Sequence, residues 1–171
     1  MTTRRTLALI AYIGSIVAAN WMTSTFGLVP IGFGLLVTAG TFAAGFALVA
    51  RDGVQVTSGK WMVLAAILVG AGISYFTSSP ALAAASGIAF LCGELVDLGV
   101  FTPLRDRNLP LAVLLSSVVS APVDTVLFLW LAGFGLSWQA VLGQFIVKTV
   151  IAALVAGWLV VHENRKDVAY A

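Results

Sequence analysis

Charged residues are scarce in this chain. Asp, Glu, Lys and Arg make up only 9% of its 171 residues, whereas a soluble domain carries about 25%. Hydrophobic residues account for 60%, and the mean hydropathy is +1.05. Such a composition cannot cover a water-facing surface, so it predicts an integral membrane protein. The single cysteine, Cys92, excludes an internal disulfide framework.

The basic residues also lack the grouping that a nucleic-acid partner would need. The net charge is only +2, and the Lys and Arg residues form short clusters between apolar runs. That distribution is typical of residues that set membrane topology. We therefore expect a lipid bilayer as the surrounding partner and no nucleic acid.

Apolar runs dominate what remains, and each is about 20 residues long. At 1.5 Å per residue, such a run crosses a hydrocarbon core about 30 Å thick. Helices are expected, because the runs lack the alternation of a β-barrel strand. The sequence predicts an all-α membrane protein, a single domain over residues 1–171 that forms a six-transmembrane-helix bundle. The predicted spans are 6–26, 30–50, 60–78, 81–103, 109–133 and 138–161.

Eight of the nine basic residues fall before, after or between these spans on alternate connections. The remaining three connections contain no Lys or Arg. By the positive-inside rule, the basic side is cytoplasmic. We therefore predict both termini in the cytoplasm and a multi-pass protein of the cell (inner) membrane. The residues on this side are Arg4, Arg5, Arg51, Lys60, Arg105, Arg107, Arg165 and Lys166.

Four ionisable residues lie inside predicted spans, where each costs about 2.5–3.5 kcal/mol near a helix centre. They are Glu94, Asp97, Asp124 and Lys148. Such residues must face a protein interior or a water-filled cavity, and they need partners. Glu94 and Asp97 are three residues apart and share one helix face. Lys148 can compensate one acid, with Asp124 and Glu94 as the candidates.

Other polar and aromatic residues fall at similar depths in several spans. They are Asn20 in the first span, Thr41 and Phe42 in the second, Phe90 in the fourth, Ser120 in the fifth and Gln144 in the sixth. The simplest geometry joins them to the four ionisable residues around one central polar pocket. Alternatives remain open for three features. In these alternatives, Lys148 forms only a structural ion pair, Asp97 pairs with Arg105, and Asn20 only forms hydrogen bonds between helices.

Three stretches carry a resemblance to a known family. They are "GTFAAGFALVARDGVQ" at 40–55, "GELVDLGVFTPLRDRN" at 93–108 and "SSVVSAPVDTVLFL" at 116–129. Together they resemble the VUT family of vitamin uptake transporters, which includes the queuosine-precursor transporters. The resemblance implies a bundle like the substrate-binding subunits of ECF transporters. It also implies a 7-deazaguanine substrate, such as preQ0 or preQ1, with Glu94, Asp97 and Asp124 at the family's acidic positions.

The chemistry of such a substrate suits the predicted pocket. A guanine-like edge presents two adjacent N–H donors, which one carboxylate can accept. Gln144 or Asn20 could donate to the ring carbonyl, and Phe42, Phe90 or Phe128 could stack on the base. The expected substrate-binding residues are therefore Asn20, Thr41, Phe42, Phe90, Glu94, Asp97, Ser120, Asp124, Gln144 and Lys148.

The leading hypothesis is a secondary transporter that imports this purine-like molecule. The alternative is a substrate-binding subunit of an ATP-driven ECF transporter. A membrane-embedded enzyme is disfavoured, because no catalytic motif is present. We expect no resident cofactor and no metal centre, since the one histidine, His162, argues against zinc. A coupling proton or sodium ion and a homodimer both remain open.

Overall fold

Helices form nearly all of the protein. The computed structural model describes residues 2–169, with side chains described for residues 3–161. The side chains of Arg165 and Lys166, which entered the topology prediction, lie outside that range. Six helices and one β-hairpin follow one another in the described chain. They are α1 Thr2–Phe26, β1 Leu28–Gly32, β2 Leu35–Thr38, α2 Thr41–Ser58, α3 Lys60–Thr77, α4 Pro80–Leu104, α5 Leu109–Leu131 and α6 Trp138–Ala169.

Five helices in the described part of the chain are long and apolar enough to cross a membrane. They correspond to the predicted first, third, fourth, fifth and sixth spans to within three residues at each end. Their ranges are Thr3–Phe26, Lys60–Thr77, Pro80–Leu104, Leu109–Leu131 and Trp138–Val161. Their starts follow ordinary capping chemistry. Ser79 accepts a hydrogen bond from the amide of Leu82 before α4, and Asn108 accepts one from Leu111 before α5.

The predicted span over residues 30–50 is wrong in its boundaries. Residues 28–38 form an antiparallel hairpin with Leu28 paired to Thr38 and Gly32 to Leu35. Phe33 and Gly34 make its two-residue turn with φ of 53° and 73°. Positive φ at both central positions matches the twist of a hairpin. The Gly- and Pro-rich sequence there favoured a turn, and the apolar composition hid that signal.

Helix α2 consequently starts later and extends further than predicted. It runs over 18 residues, from Thr41 through Arg51 to Ser58. Gly59, with φ of 81°, ends it, and α3 begins at the next residue. Arg51, Asp52 and Gln55 lower the mean hydropathy of this helix, and all three are buried. Helix α2 therefore combines a buried polar side with exposed apolar residues, and it packs against α1, α3 and α6.

The bundle has two distinct ends. At the hairpin end, α1, α3 and α5 finish, and α2, α4 and α6 begin. At the basic end, the described side chains include Arg4, Arg5, Lys60, Arg105 and Arg107. Glycines permit close helix packing at several points. A Cβ on Gly143 of α6 would lie 2.2 Å from the carbonyl oxygen of Leu36, so this glycine seats the hairpin against α6.

Candidate functional site

A buried ion pair joins α5 to α6. Lys148 Nζ donates to Asp124 Oδ2 and, at 2.8 Å, to the hydroxyl of Thr125. Both charged residues are nearly inaccessible, with exposures of 2% for Lys148 and 3% for Asp124. The predicted pairing of Lys148 with Asp124 is therefore present. The hydroxyl of Thr125, one position along the same helix, adds a second acceptor that fixes the ammonium group.

This ion pair lies on the wall of a cavity near the hairpin end. The cavity is enclosed by α1, β2 and the four helices α2, α4, α5 and α6. Its walls are formed by Ala19, Asn20, Thr23, Thr38, Gly40, Ala44, Ser86, Phe90, Asp124, Phe128, Gln144 and Lys148. Asn20 and Lys148 lie about 9 Å and 15 Å from their helix ends at 1.5 Å per residue. We call this space the upper cavity.

The upper cavity is small and combines apolar with polar walls. It measures about 20 Å³, which is room for about one water molecule. Two aromatic rings, Phe90 and Phe128, and the polar side chains of the wall surround it. A flat heterocycle would fit only if the wall side chains or helices moved apart.

Asn20 ties three helices together at this wall. Its amide nitrogen lies 3.1 Å from the hydroxyls of both Ser74 in α3 and Ser86 in α4, and also 3.1 Å from the carbonyl of Ile16. These contacts bear out the interhelical role that the sequence left open. They also place Asn20 on the cavity wall, so the two interpretations are compatible.

Gln144 lies in the same wall, but its side-chain nitrogen, unlike that of Asn20, is not hydrogen-bonded within the described part of the chain. It is 1% exposed, yet its side-chain nitrogen has no hydrogen-bond partner among the described residues. A buried amide donor without a partner costs about 1–3 kcal/mol. Gln144 is therefore the polar group in this wall with a donor free for a guest molecule.

A second buried charge cluster lies deeper, toward the basic end. Arg51 of α2 is 2% exposed. Its guanidinium contacts three carboxylates: Asp52 Oδ1 at 3.1 Å, Glu94 Oε2 at 3.2 Å, and Asp97 Oδ1. We call these four residues the Arg51 cluster. One guanidinium thus faces three acids in a region closed to solvent.

The Arg51 cluster corrects several predictions. Arg51 is a buried partner of the acids, and not a topology residue at the membrane edge. Glu94 and Asp97 lie in this cluster and not in the wall of the upper cavity. Asp97 does not pair with Arg105, whose partner is Asp106 at 3.5 Å. The net formal charge of the buried groups is still −2, because Arg51 and Asp52 cancel each other.

Three other predicted site residues lie outside the cavity wall. Phe42 is 46% exposed and points away from it, because consecutive residues on a helix do not share a face. Thr41 is buried with its hydroxyl 2.9 Å from that of Thr38, which does line the cavity. Ser120 is fully buried, and its hydroxyl has no partner among the described residues.

The two charged regions are close neighbours. Gly93 allows α4 to approach α5, since a Cβ there would lie 3.2 Å from the Cβ of Asp124. Glu94, the next residue, belongs to the Arg51 cluster. Tyr12 of α1 is 1% exposed and interacts electrostatically with Arg51, Glu94 and Asp124. Tyr12 is therefore a buried side chain of α1 in the neighbourhood of both charged regions.

Sequence reasoning missed Arg51, Tyr12 and Ser86 as parts of these sites. Arg51 and Asp52 were hidden by the wrong end of the second span. The stop signal at Gly59 was available, since glycine commonly ends a helix. The continued helical spacing from Leu48 through Asp52 to Gln55 also places these residues on one buried side of α2.

The fold and these sites define a multi-pass helical membrane protein with a charged, enclosed interior. Residues 6–162 match the family described as "Putative vitamin uptake transporter" (Vut_1), and the chain belongs to that family. It is thus a membrane transporter of the vitamin-uptake type. No curated protein and no solved structure matches the chain at a significant level.

Proposed function

We propose that the protein imports a small, flat nitrogen heterocycle of the 7-deazaguanine type, such as preQ0 or preQ1, through the upper cavity. The observation that carries the proposal is the meeting of Asn20, Phe90, Asp124, Gln144 and Lys148 in one cavity wall. These groups supply a free amide donor, a carboxylate, an ammonium group and an aromatic face. A purine-like ring presents donors and acceptors along its edges and a π-face for stacking.

Asp124, and not Glu94, is the acid that would meet the substrate. Its Oδ2 is taken by Lys148, so a substrate N–H pair would compete for that carboxylate. Binding would then release the ammonium group toward Thr125 or toward an acceptor on the substrate. A site built on such paired polar groups discriminates strongly against molecules that lack the matching donors.

The size of the upper cavity adds a condition. A volume of about 20 Å³ cannot hold a bicyclic base, so binding requires the wall to open. Gly40, whose Cβ would lie 2.0 Å from the carbonyl of Ala19, keeps the start of α2 pressed against α1. Substrate binding is therefore expected to be coupled to a helix rearrangement, as alternating access requires.

We also infer six crossings with both termini in the cytoplasm. The support is that every connection at the hairpin end between described residues lacks Lys and Arg, while the basic end carries Arg4, Arg5, Lys60, Arg105 and Arg107. Helix α2 has 18 residues, which span about 27 Å. Its polar residues are buried, so it can cross as the interior helix.

The test is a binding measurement on the purified, lipid-reconstituted protein with preQ0, preQ1, queuine, guanine and biotin. We expect the deazaguanines to bind and biotin not to bind. Gln144→Leu should weaken binding by about tenfold, equivalent to about 1.4 kcal/mol. It removes a donor that has no protein partner, so the fold should be retained. Gln139→Leu, on the same helix but outside the cavity wall, is the matched control.

Three results would contradict the proposal. Equal affinity of the Gln144 and Gln139 variants would remove the upper cavity as the binding site. Uptake into proteoliposomes that required an added ATPase pair would favour an ECF-type binding subunit over a secondary transporter. Conversion of any tested compound would indicate a membrane-embedded enzyme.

A further inference from the structure

The Arg51 cluster has no place in the binding of the heterocycle described above, yet it contains the greatest excess of buried charge. Asp52, Glu94 and Asp97 are each at most 3% exposed and share one guanidinium. With all three ionised, the cluster carries a net charge of −2. Removing ions from water costs several kcal/mol each unless they are well paired.

Among the described side chains, no second cation is paired with the acids of the cluster. The neighbouring titratable group from α1 is Tyr12, which is not a cation at any pH. Asp124 from α5 and Lys148 from α6 are paired with each other. Three carboxylate oxygens outside the ion pairs with Arg51 are buried without a hydrogen-bond partner among the described residues: Asp52 Oδ2, Glu94 Oε1 and Asp97 Oδ2. Those oxygens are therefore available acceptors for a positive species.

A second cavity lies beside this cluster. It measures about 240 Å³, more than the upper cavity, and lies between α2, α5 and α6. Asp52 and Thr57 are its polar lining residues, while Val113, Val155 and Leu159 are among its apolar walls. Asp52 is six residues from the end of α2, or about 9 Å from the basic end. We call this space the lower cavity.

We propose that the Arg51 cluster is a proton-binding site, occupied at neutral pH, which exchanges with the basic end through the lower cavity. A proton binds to one carboxylate oxygen, forms a carboxylic acid and leaves the cluster with a net charge of −1. The acid hydrogen can then donate to a neighbouring carboxylate. Asp52 is the group that meets the lower cavity and would receive the proton first.

A metal cation fits this cluster less well than a proton. The guanidinium of Arg51 already occupies the place between the three carboxylates. A second cation would lie beside it and would need five or six oxygen ligands of its own. A proton needs only an oxygen that is already present. The role of this proton in driving uptake rests on the proposed transport function, whereas its presence in the cluster does not.

Infrared spectroscopy of the full chain in lipid tests the proposal without any substrate. At neutral pH, the wild type should show the C=O stretch of a buried carboxylic acid that shifts to lower frequency in D₂O. Glu94→Gln and Asp52→Asn each remove one acid and the need for a proton. Each should reduce the band by at least half. Asp106→Asn is the matched control and should leave the band unchanged, because the Asp106 side chain is 84% exposed and lies outside the cluster.

Either of two results would overturn the proposal. One is a wild type without the band, and a rise in its unfolding temperature with sodium would then identify a metal cation instead. The other is a band that survives intact in both Glu94→Gln and Asp52→Asn, which would place the protonated acid outside the Arg51 cluster. Two separate variants are used so that a folding failure in one leaves the other to decide. A failure of heterocycle binding would leave this result standing, so the two proposals can fail independently.

Discussion

The buried ion pair between Lys148 and Asp124 makes the stability of the bundle sensitive to a single charge. Lys148→Met keeps most of the side-chain volume and leaves Asp124 buried without its partner. Loss of one partner of a buried ion pair costs about 3–5 kcal/mol. For a chain of this size, 1 kcal/mol corresponds to about 2–4 °C in unfolding temperature. We therefore expect Lys148→Met to lower that temperature by about 6–20 °C.

The assay is thermal unfolding in detergent, followed by tryptophan fluorescence. Lys60→Met is the matched control, because Lys60 is exposed at the basic end. It should change the unfolding free energy by less than about 0.5 kcal/mol. The double variant Asp124→Asn with Lys148→Met removes both charges and should recover a large part of the loss.

Two outcomes would refute this reasoning. Equal unfolding temperatures for Lys148→Met and Lys60→Met would mean that Asp124 is not a buried, lysine-dependent charge. A double variant no more stable than Lys148→Met alone would mean that the loss does not come from an unpaired Asp124 carboxylate. Stability measured at two salt concentrations gives a further check, since a buried pair is weakly screened.

The other predictions concern packing and topology. Gly93→Leu would press a side chain against Asp124, because even a Cβ at position 93 would lie 3.2 Å from the Cβ of Asp124. We expect it to lower the unfolding free energy by at least about 2 kcal/mol. Gly14→Leu is the control and should be nearly neutral, since a Cβ there meets nothing within 4 Å; equal stabilities of the two variants would contradict the close approach of α4 and α5. In a Cys92→Ala background, a membrane-impermeant thiol reagent added outside the cell should label Leu136→Cys at the hairpin end and leave Asp106→Cys unlabelled until the membrane is opened. The reverse labelling pattern would invert the proposed topology.

Much of the architecture was available from the sequence, because lipid imposes simple rules. Five of the six predicted spans coincide with helices, since a long apolar run can satisfy its backbone in lipid only as a helix. The exception is the segment over residues 28–58, which forms the hairpin and α2. Hydropathy measures contact with lipid, and α2 contacts mainly other helices. A helix that is enclosed by its neighbours can carry Arg51 and Asp52, so its composition no longer reports its position.

The buried charges were predictable in part from the sequence, but their grouping was not. Buried charges at Glu94, Asp97, Asp124 and Lys148 follow from their cost in lipid. Their division between two clusters depends on Arg51, which lies 43 positions before Glu94 in the chain. Spacing along one helix shows which residues share a face. It does not show which helix that face meets, and this contact separated Glu94 from Asp124.

The connection between α2 and α3 has a mechanical consequence. Helix α2 ends at Ser58 and α3 starts at Lys60, so Gly59 alone joins them. A single residue leaves no slack, and any sliding of α2 along its axis must displace the start of α3 by nearly the same distance. At its other end, α2 is linked through the hairpin to α6. Arg51, which contacts three carboxylates, thus lies on a helix that is held at both ends. Helix α2 can tilt only if α3 and the hairpin move with it.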